Sequence, residues 1–184
     1  KNSSASATLN FAFNSIYMTN LSAVGTGVVT YQGIFISNGT NNLANNIVVS
    51  AETDFASYCI YRDLALGTLA SNYNDFYPVS ATNGNVGYFN TTATPTLANW
   101  QTASSQDPNS YSVDPLFVSA TDLHLLNTAS PLMGKGIVIP GVTTDIDDEL
   151  RDSPPEIGAD EFPGIVPVEL VSFNASLDQN NVVL

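Results

Sequence analysis

The most regular stretch of the chain is residues 41–50, NNLANNIVVS, where asparagine gives way to a short apolar run. The order asparagine, polar, apolar, any, apolar is met at Asn45-Asn46-Ile47-Val48-Val49 and at Asn14-Ser15-Ile16-Tyr17-Met18. It returns, with proline last, at Asn74-Asp75-Phe76-Tyr77-Pro78. A second series lies between these: Ile34-Phe35-Ile36-Ser37-Asn38, Cys59-Ile60-Tyr61-Arg62-Asp63 and Val86-Gly87-Tyr88-Phe89-Asn90. Short runs rich in Val, Ile and aromatic residues read as strands. Two interleaved strand series recurring about every 25–30 residues predict a solenoid of stacked β-coils. Strands are expected over residues 9–18, 27–37, 58–63, 70–77 and 86–90, with Phe11, Phe13, Ile16 and Met18 feeding the core. Asn38-Gly39-Thr40-Asn41-Asn42 reads as a turn, because Asn and Gly tolerate left-handed backbone angles.

The repeated asparagines carry a physical expectation. Equivalent residues of stacked coils lie ~4.8 Å apart. An asparagine at each inward corner then passes a hydrogen bond from its amide to the next. Asn14, Asn45 and Asn74 are one expected ladder, and Asn38, Asp63 and Asn90 the other. The alternative use of such a row is a set of sugar-binding amides on the surface.

After Asn90 the repeat stops. Residues 94–101, TPTLANWQ, predict a short helix with Thr94 as N-cap, Pro95 in the first helical position, and Leu97 and Trp100 on one face. Trp100 is either the anchor that packs this helix on the coil end or a sugar-stacking platform. Tyr61 and Tyr88 join it as candidate sugar-binding aromatics. Residues 114–118 and 121–126 read as short strands, with Leu123 and Leu125 alternating against outward-facing Asp122 and His124. Residues 163–167 read as a linker. Residues 168–184 read as the first hairpin of a β-sandwich-like module, turning near 178–181. A lone hairpin is marginal in water, so further chain is expected beyond Leu184.

Charge narrows the chemistry. The net charge is −13, which excludes a basic footprint for nucleic acid. Residues 1–106 hold four acids, whereas residues 107–184 hold thirteen. Counted as a calcium loop from Asp145, the sequence places Asp147 third, Glu149 fifth and Glu156 twelfth. Leu150 then stands sixth, where such a loop needs glycine. Calcium is therefore the single cofactor hinted at; the competing reading has Arg151 neutralising its acidic neighbours. Cys59 is the only cysteine, so no intrachain disulfide forms, and it is expected as a small buried hydrophobe. No run of ~18 apolar residues exists to span a membrane. The surface chemistry is Asn, Ser, Thr, Asp and Gly, which suits an extracellular β-protein. Lys1, Arg62, Lys135 and Arg151 are the only basic residues and His124 the only histidine. No nucleophile lies near His124 in sequence, so no catalytic residue is assigned.

Two resemblances follow from the residues. Asp114-Pro115-Leu116-Phe117, Asp122-Leu123-His124-Leu125, Ser130-Pro131, Asp145-Ile146-Asp147 with Arg151, and residues 155–162 (PEIGADEF) occur in that order. This order resembles the C-terminal end of many secreted right-handed parallel β-helix proteins, among them the pectate-lyase-like group. Leu97-Ala98-Asn99-Trp100-Gln101 with Gln106-Asp107 resembles the lead-in to that ending. Asp148 departs from it, standing where the family often has glycine. Residues 167–175, PVELVSFNA, resemble the entry to the C-terminal region of proteins exported by the type IX secretion system of Bacteroidetes-type bacteria. The first resemblance implies an all-β right-handed parallel β-helix with a C-terminal cap over residues 1–162. The second implies a secreted or cell-surface protein handled by an outer-membrane translocon and its shuttle. The expected role is non-catalytic binding, adhesion or structure, with acidic or neutral glycans as partners. The alternative is the C-terminal portion of a polysaccharide lyase or glycoside hydrolase whose active coils lie upstream.

Overall fold

The computed structural model describes residues 7–19, 30–36, 38–62, 67–126, 130–162, 176–178 and 181–183. The chain is mostly β. Nine strands come first: β1 (Thr8–Ala12), β2 (Ser15–Met18), β3 (Thr30–Phe35), β4 (Thr40–Ala44), β5 (Ile47–Ser50), β6 (Ala56–Arg62), β7 (Thr68–Asn72), β8 (Asp75–Pro78) and β9 (Gly84–Phe89). They are dealt in rotation to three parallel sheets, ordered β1-β4-β7, β2-β5-β8 and β3-β6-β9. The expected strand over 9–18 is thus two strands with a corner at Phe13-Asn14, and 70–77 divides in the same way around Tyr73-Asn74. β10 (Thr92–Thr94) turns back antiparallel on β9 and ends the third sheet.

One core lies between the three sheets. Leu43 and Leu69 come from the first, Val48 and Phe76 from the second, and Ile34, Cys59, Ile60 and Val86 from the third. Cys59 is fully buried, as its apolar setting required. The β2-β5-β8 sheet is covered on both faces, which explains the unbroken apolar run Ile47-Val48-Val49. Val48 faces the inner core, while Ile47 and Val49 pack against Leu125, Leu132 and Ile157 of the following segment. Each fully buried aliphatic side chain contributes about 1.5–3 kcal/mol.

The helix is α1 (Leu97–Ser104), the same length as the sequence suggests but set three residues further along and capped differently. Thr96, not Thr94, is the N-cap, in a capping box with Asn99. Thr94 is buried in β10, and Pro95 precedes the cap. Trp100 is completely buried in the core against Phe89. A Cβ on Gly87 would sit 2.4 Å from the Trp100 ring, so only glycine lets this ring settle on β9.

Residues 106–113 then run along the exposed edges of β7 and β8. Asp107 N–H donates to Ser71 O (2.9 Å), and Tyr111 N–H to Asn74 O (2.7 Å). β11 (Phe117–Ser119) and β12 (Asp122–Leu125) form an antiparallel pair, with Asp122 and His124 exposed as expected. β13 (Ser176–Asp178) and β14 (Asn181–Val183) pair antiparallel, which is the hairpin expected near 178–181. The strand expected around Val168–Phe173 and the linker fall outside the described residues. No helix among the described residues is long and apolar enough to cross a membrane.

Candidate functional site

The asparagine ladder is present, but shifted by one residue in its middle rung. Asn14 Nδ2 donates to Asn46 Oδ1 (2.9 Å), and Asn46 Nδ2 donates to Asn74 Oδ1 (2.9 Å). Asn74 Nδ2 in turn donates to Asp107 Oδ1 (3.1 Å). The same oxygens accept backbone N–H groups at the corners, Asn14 N–H at 3.2 Å and Asn46 N–H at 3.0 Å. The expected rung Asn45 is therefore corrected to Asn46. Strand register decides this: Ser15 pairs with Ile47, and Ile47 with Asp75. Asn45 instead has a left-handed φ of 56°, matching Phe13 at 55° and Tyr73 at 57° one coil either side. Asp107 was missed as a rung. It suits the end of the ladder because a carboxylate only accepts. It also takes Ser71 and Ser110 hydroxyls and the Trp100 Nε1–H (2.7 Å).

The second expected ladder is out of register at Asn38. Phe35, Tyr61 and Tyr88 are the residues in register, so Asn38 lies three beyond its strand's member and Asn90 only two. Both asparagines are exposed, and Asp63 lies outside the described residues.

The candidate aromatics divide. Trp100 is buried and bonded to Asp107, so it is an anchor and not a sugar platform. Tyr61 is sandwiched: Phe35 stacks on one side at 5.9 Å between centroids, and Tyr88 on the other at 4.6 Å and 2° between planes. Tyr58 meets both tyrosines edge-on. A sugar stacks on a free ring face, and Tyr61 has none. The run Phe35-Tyr61-Tyr88 is a cross-strand aromatic ladder that holds β3, β6 and β9 in register.

The open concavity lies elsewhere, on the outer face of β1-β4-β7. Its volume is about 600 Å³, within the ~300–1,000 Å³ range of small-ligand clefts. Period-two alternation sends Leu43, Leu69 and Ser71 inward and presents two rows of small side chains outward. One row is Asn10, Asn42 and Ala70; the other is Ala12, Ala44 and Asn72. Asn42 Nδ2 donates to Asn10 Oδ1 (2.8 Å). Among the described residues, nothing bonds to Asn10 Nδ2 or Asn42 Oδ1. The floor thus offers a free donor and a free acceptor at neighbouring rungs. Gln106 and Pro108 close one end, with Gln106 Oε1 accepting Ser71 N–H (3.0 Å). Ile137 and Ile139 form the apolar wall. Asn45 fixes that wall, donating to Ile137 O (2.7 Å) and accepting Ile137 N–H (2.9 Å). Among the described residues, no charged side chain lines the groove and Tyr73 is its single ionisable group.

The acids are elsewhere too, and most are structural. Asp145 accepts the N–H groups of Asp147 and Glu149 on one oxygen and of Glu161 on the other. Glu156 lies buried beside Glu161, so Asp145, Asp147, Glu149 and Glu156 do not gather as the calcium reading required. Arg151 neutralises this segment, as the competing reading had it. Its guanidinium bonds Glu161 (3.0 Å) and lies 3.9 Å over the Phe13 ring. Burial and the Glu161 carboxylate push Glu156 up to about 8. Burial likewise pushes Asp75 up to about 8, and its Oδ2 has no hydrogen-bond partner. Asp148 has φ of 65°, the left-handed angle that explains why glycine suits its place in the turn. Comparisons with protein families, with curated proteins and with solved structures find nothing that matches this chain.

Proposed function

We propose that the chain is a right-handed parallel β-helix whose β1-β4-β7 groove binds neutral glycans without cleaving them. The observation that carries this reading is the groove's lining. In a chain of net charge −13, it combines free amide groups and an apolar wall with no charged side chain among its described lining residues. Side-chain amides match sugar hydroxyls, which both donate and accept, and an uncharged site imposes no desolvated-ion cost. Cleavage needs a positioned acid or base. Arg62 is buried and donates to Gly67 O, and Arg151 is held by Glu161, so neither serves the groove. The rotation of strands among three parallel sheets supports the β-helix. The amide- and hydroxyl-rich surface supports a secreted or cell-surface setting. Export through a type IX translocon and shuttle rests on residues 167–175, outside the described residues.

Calorimetry against neutral and acidic oligosaccharides tests this. Neutral chains should bind, and their length should be unchanged after incubation. Ala44→Trp fills the floor and Asn42→Leu removes the free acceptor; each should weaken binding by about tenfold or more, the cost of one or two unmade hydrogen bonds. Tighter binding of acidic chains, or undiminished binding by both variants, sinks the proposal.

A further inference from the structure

The chain's one imidazole sits in a ring of carboxylates away from the groove. His124 projects from β12 with Nδ1 on Asp122 and Nε2 2.9 Å from Asp147 Oδ2. Asp160 completes the group: one ligand atom each from His124, Asp147 and Asp160 lies within 4.8 Å of the others. The three come from separate places in the fold, namely β12, the tip of the 144–150 turn and the segment that follows Arg151. Asp160 is 7% exposed. Its Oδ2 accepts Leu125 N–H (2.7 Å), and its other oxygen accepts nothing from the described residues. One oxygen of this largely buried residue thus lies beside a histidine and a second carboxylate without a described partner, and a cation shared among the three would offset the repulsion between the carboxylates. Even a protonated imidazole supplies one positive charge against Asp122, Asp147 and Asp160.

We propose that His124, Asp147 and Asp160 bind a divalent cation of the zinc class, with Asp122 as the positioning residue behind the imidazole. Zinc takes imidazole nitrogen and carboxylate oxygen at ~2.0–2.2 Å in a tetrahedron, which sets its ligand atoms about 3.3 Å apart. His124 and Asp147, whose side chains are both exposed, are the members that would close the group from its present spacing, within 4.8 Å, to that distance. The fourth position is left for water. An imidazole ligand selects zinc, cobalt or nickel over calcium and magnesium, which want all-oxygen shells. Asp122 holds Nδ1–H, so Nε2 is the nitrogen that faces the ion, and a proton on Nε2 leaves as the ion arrives. The ion would clasp β12 to the 144–150 turn in a chain whose single cysteine permits no internal disulfide. This inference does not depend on the groove or on glycans.

The test uses the full chain without a histidine tag, stripped with chelator. ZnCl2 should bind at one site, shift the single pair of His124 ring signals in the proton NMR spectrum, and raise the melting temperature; CaCl2 and MgCl2 at the same concentration should do neither. His124→Gln and Asp147→Asn should abolish the zinc-dependent rise while melting as wild type in chelator. Asp122→Asn should weaken zinc ~10- to 100-fold, the usual cost of removing the group behind a metal-bound histidine. Unmoved ring signals at millimolar zinc overturn the proposal. So does equal zinc binding by wild type, His124→Gln and Asp147→Asn.

Discussion

The three-sheet body and the segment from residue 107 to 162 solve one problem by different means. Each must satisfy backbone N–H and C=O groups that are withdrawn from water. In the body, the next strand does this: β4 pairs with β1 and β7 along its whole length, and asparagines carry the bonds around the corners. Charge is unnecessary, and residues 1–106 contain four acids. Among the described residues between 107 and 162, only the short β11-β12 pair is regular. There carboxylates accept the orphan N–H groups: Asp160 takes Leu125, Asp145 takes Asp147, Glu149 and Glu161, and Glu161 takes Asp152 and Glu156. The acidity of the C-terminal half is therefore largely a substitute for strand pairing. Its cost is a buried guanidinium, Arg151, to balance it.

Five substitutions sharpen the contrast. Arg151→Met strands Glu161 in the interior. It should cost about 3–5 kcal/mol. Hydrogen exchange should show residues 107–162 opening before the body; simultaneous loss of both would mean that the two regions are one cooperative unit. Asn46→Ala breaks the ladder in its buried middle and orphans groups at two corners. A loss of about 1–3 kcal/mol in urea unfolding is expected, with Asn45→Ala costing less because Asn45 bonds only the groove wall. Equal losses would return the ladder to Asn45.

Asp75 adds a pH dependence to the body. Its folded pKa is about 8 against an unfolded value of 3.8, so between these values the folded state holds a proton that the unfolded state has lost. Stability is then greatest below the unfolded pKa, falls as pH rises towards 8, and is level above it. Asp75→Asn should flatten that fall, which is at most about 1.4 kcal/mol per pH unit for one group. An unchanged slope in denaturation curves from pH 4 to 8 would contradict burial as the cause. The smallest effect is expected at Tyr88. Tyr88→Ala removes one stacked partner of Tyr61, worth about 0.5–1.5 kcal/mol beyond its area, and should leave glycan affinity untouched. A fall in affinity would return the aromatic ladder to the binding surface.

Much of this was legible in the chain and some was not, for reasons that lie in particular residues. The spacing of apolar runs announced parallel stacking, whereas the covering of Ile47-Val48-Val49 on both faces emerged only from the fold. Trp100 and Asp107 were both visible in the stretch leading to the C-terminal segment, but not their mutual hydrogen bond. The misplaced rung arose because Asn45 and Asn46 are adjacent and chemically identical. Sequence spacing cannot choose between them, whereas a one-residue shift would turn Val48 out of the core. The groove was hidden because its floor is alanine and asparagine. Such small residues carry no pattern of their own, and only the loop holding Gln106 and the wall fixed by Asn45 make them concave.

By itself, then, the sequence determined the β-character, the stacking period, the amide corners and the division between a charge-poor and an acid-rich half. These depend on composition and on contacts between neighbouring repeats. Tertiary structure decided which asparagine bears the ladder, that Tyr61 has no free face, that Asp160 meets His124 and Asp147, and where the open groove lies. Each of these joins residues distant in the chain, and register and loop path, which fix such meetings, are set by packing over the whole fold.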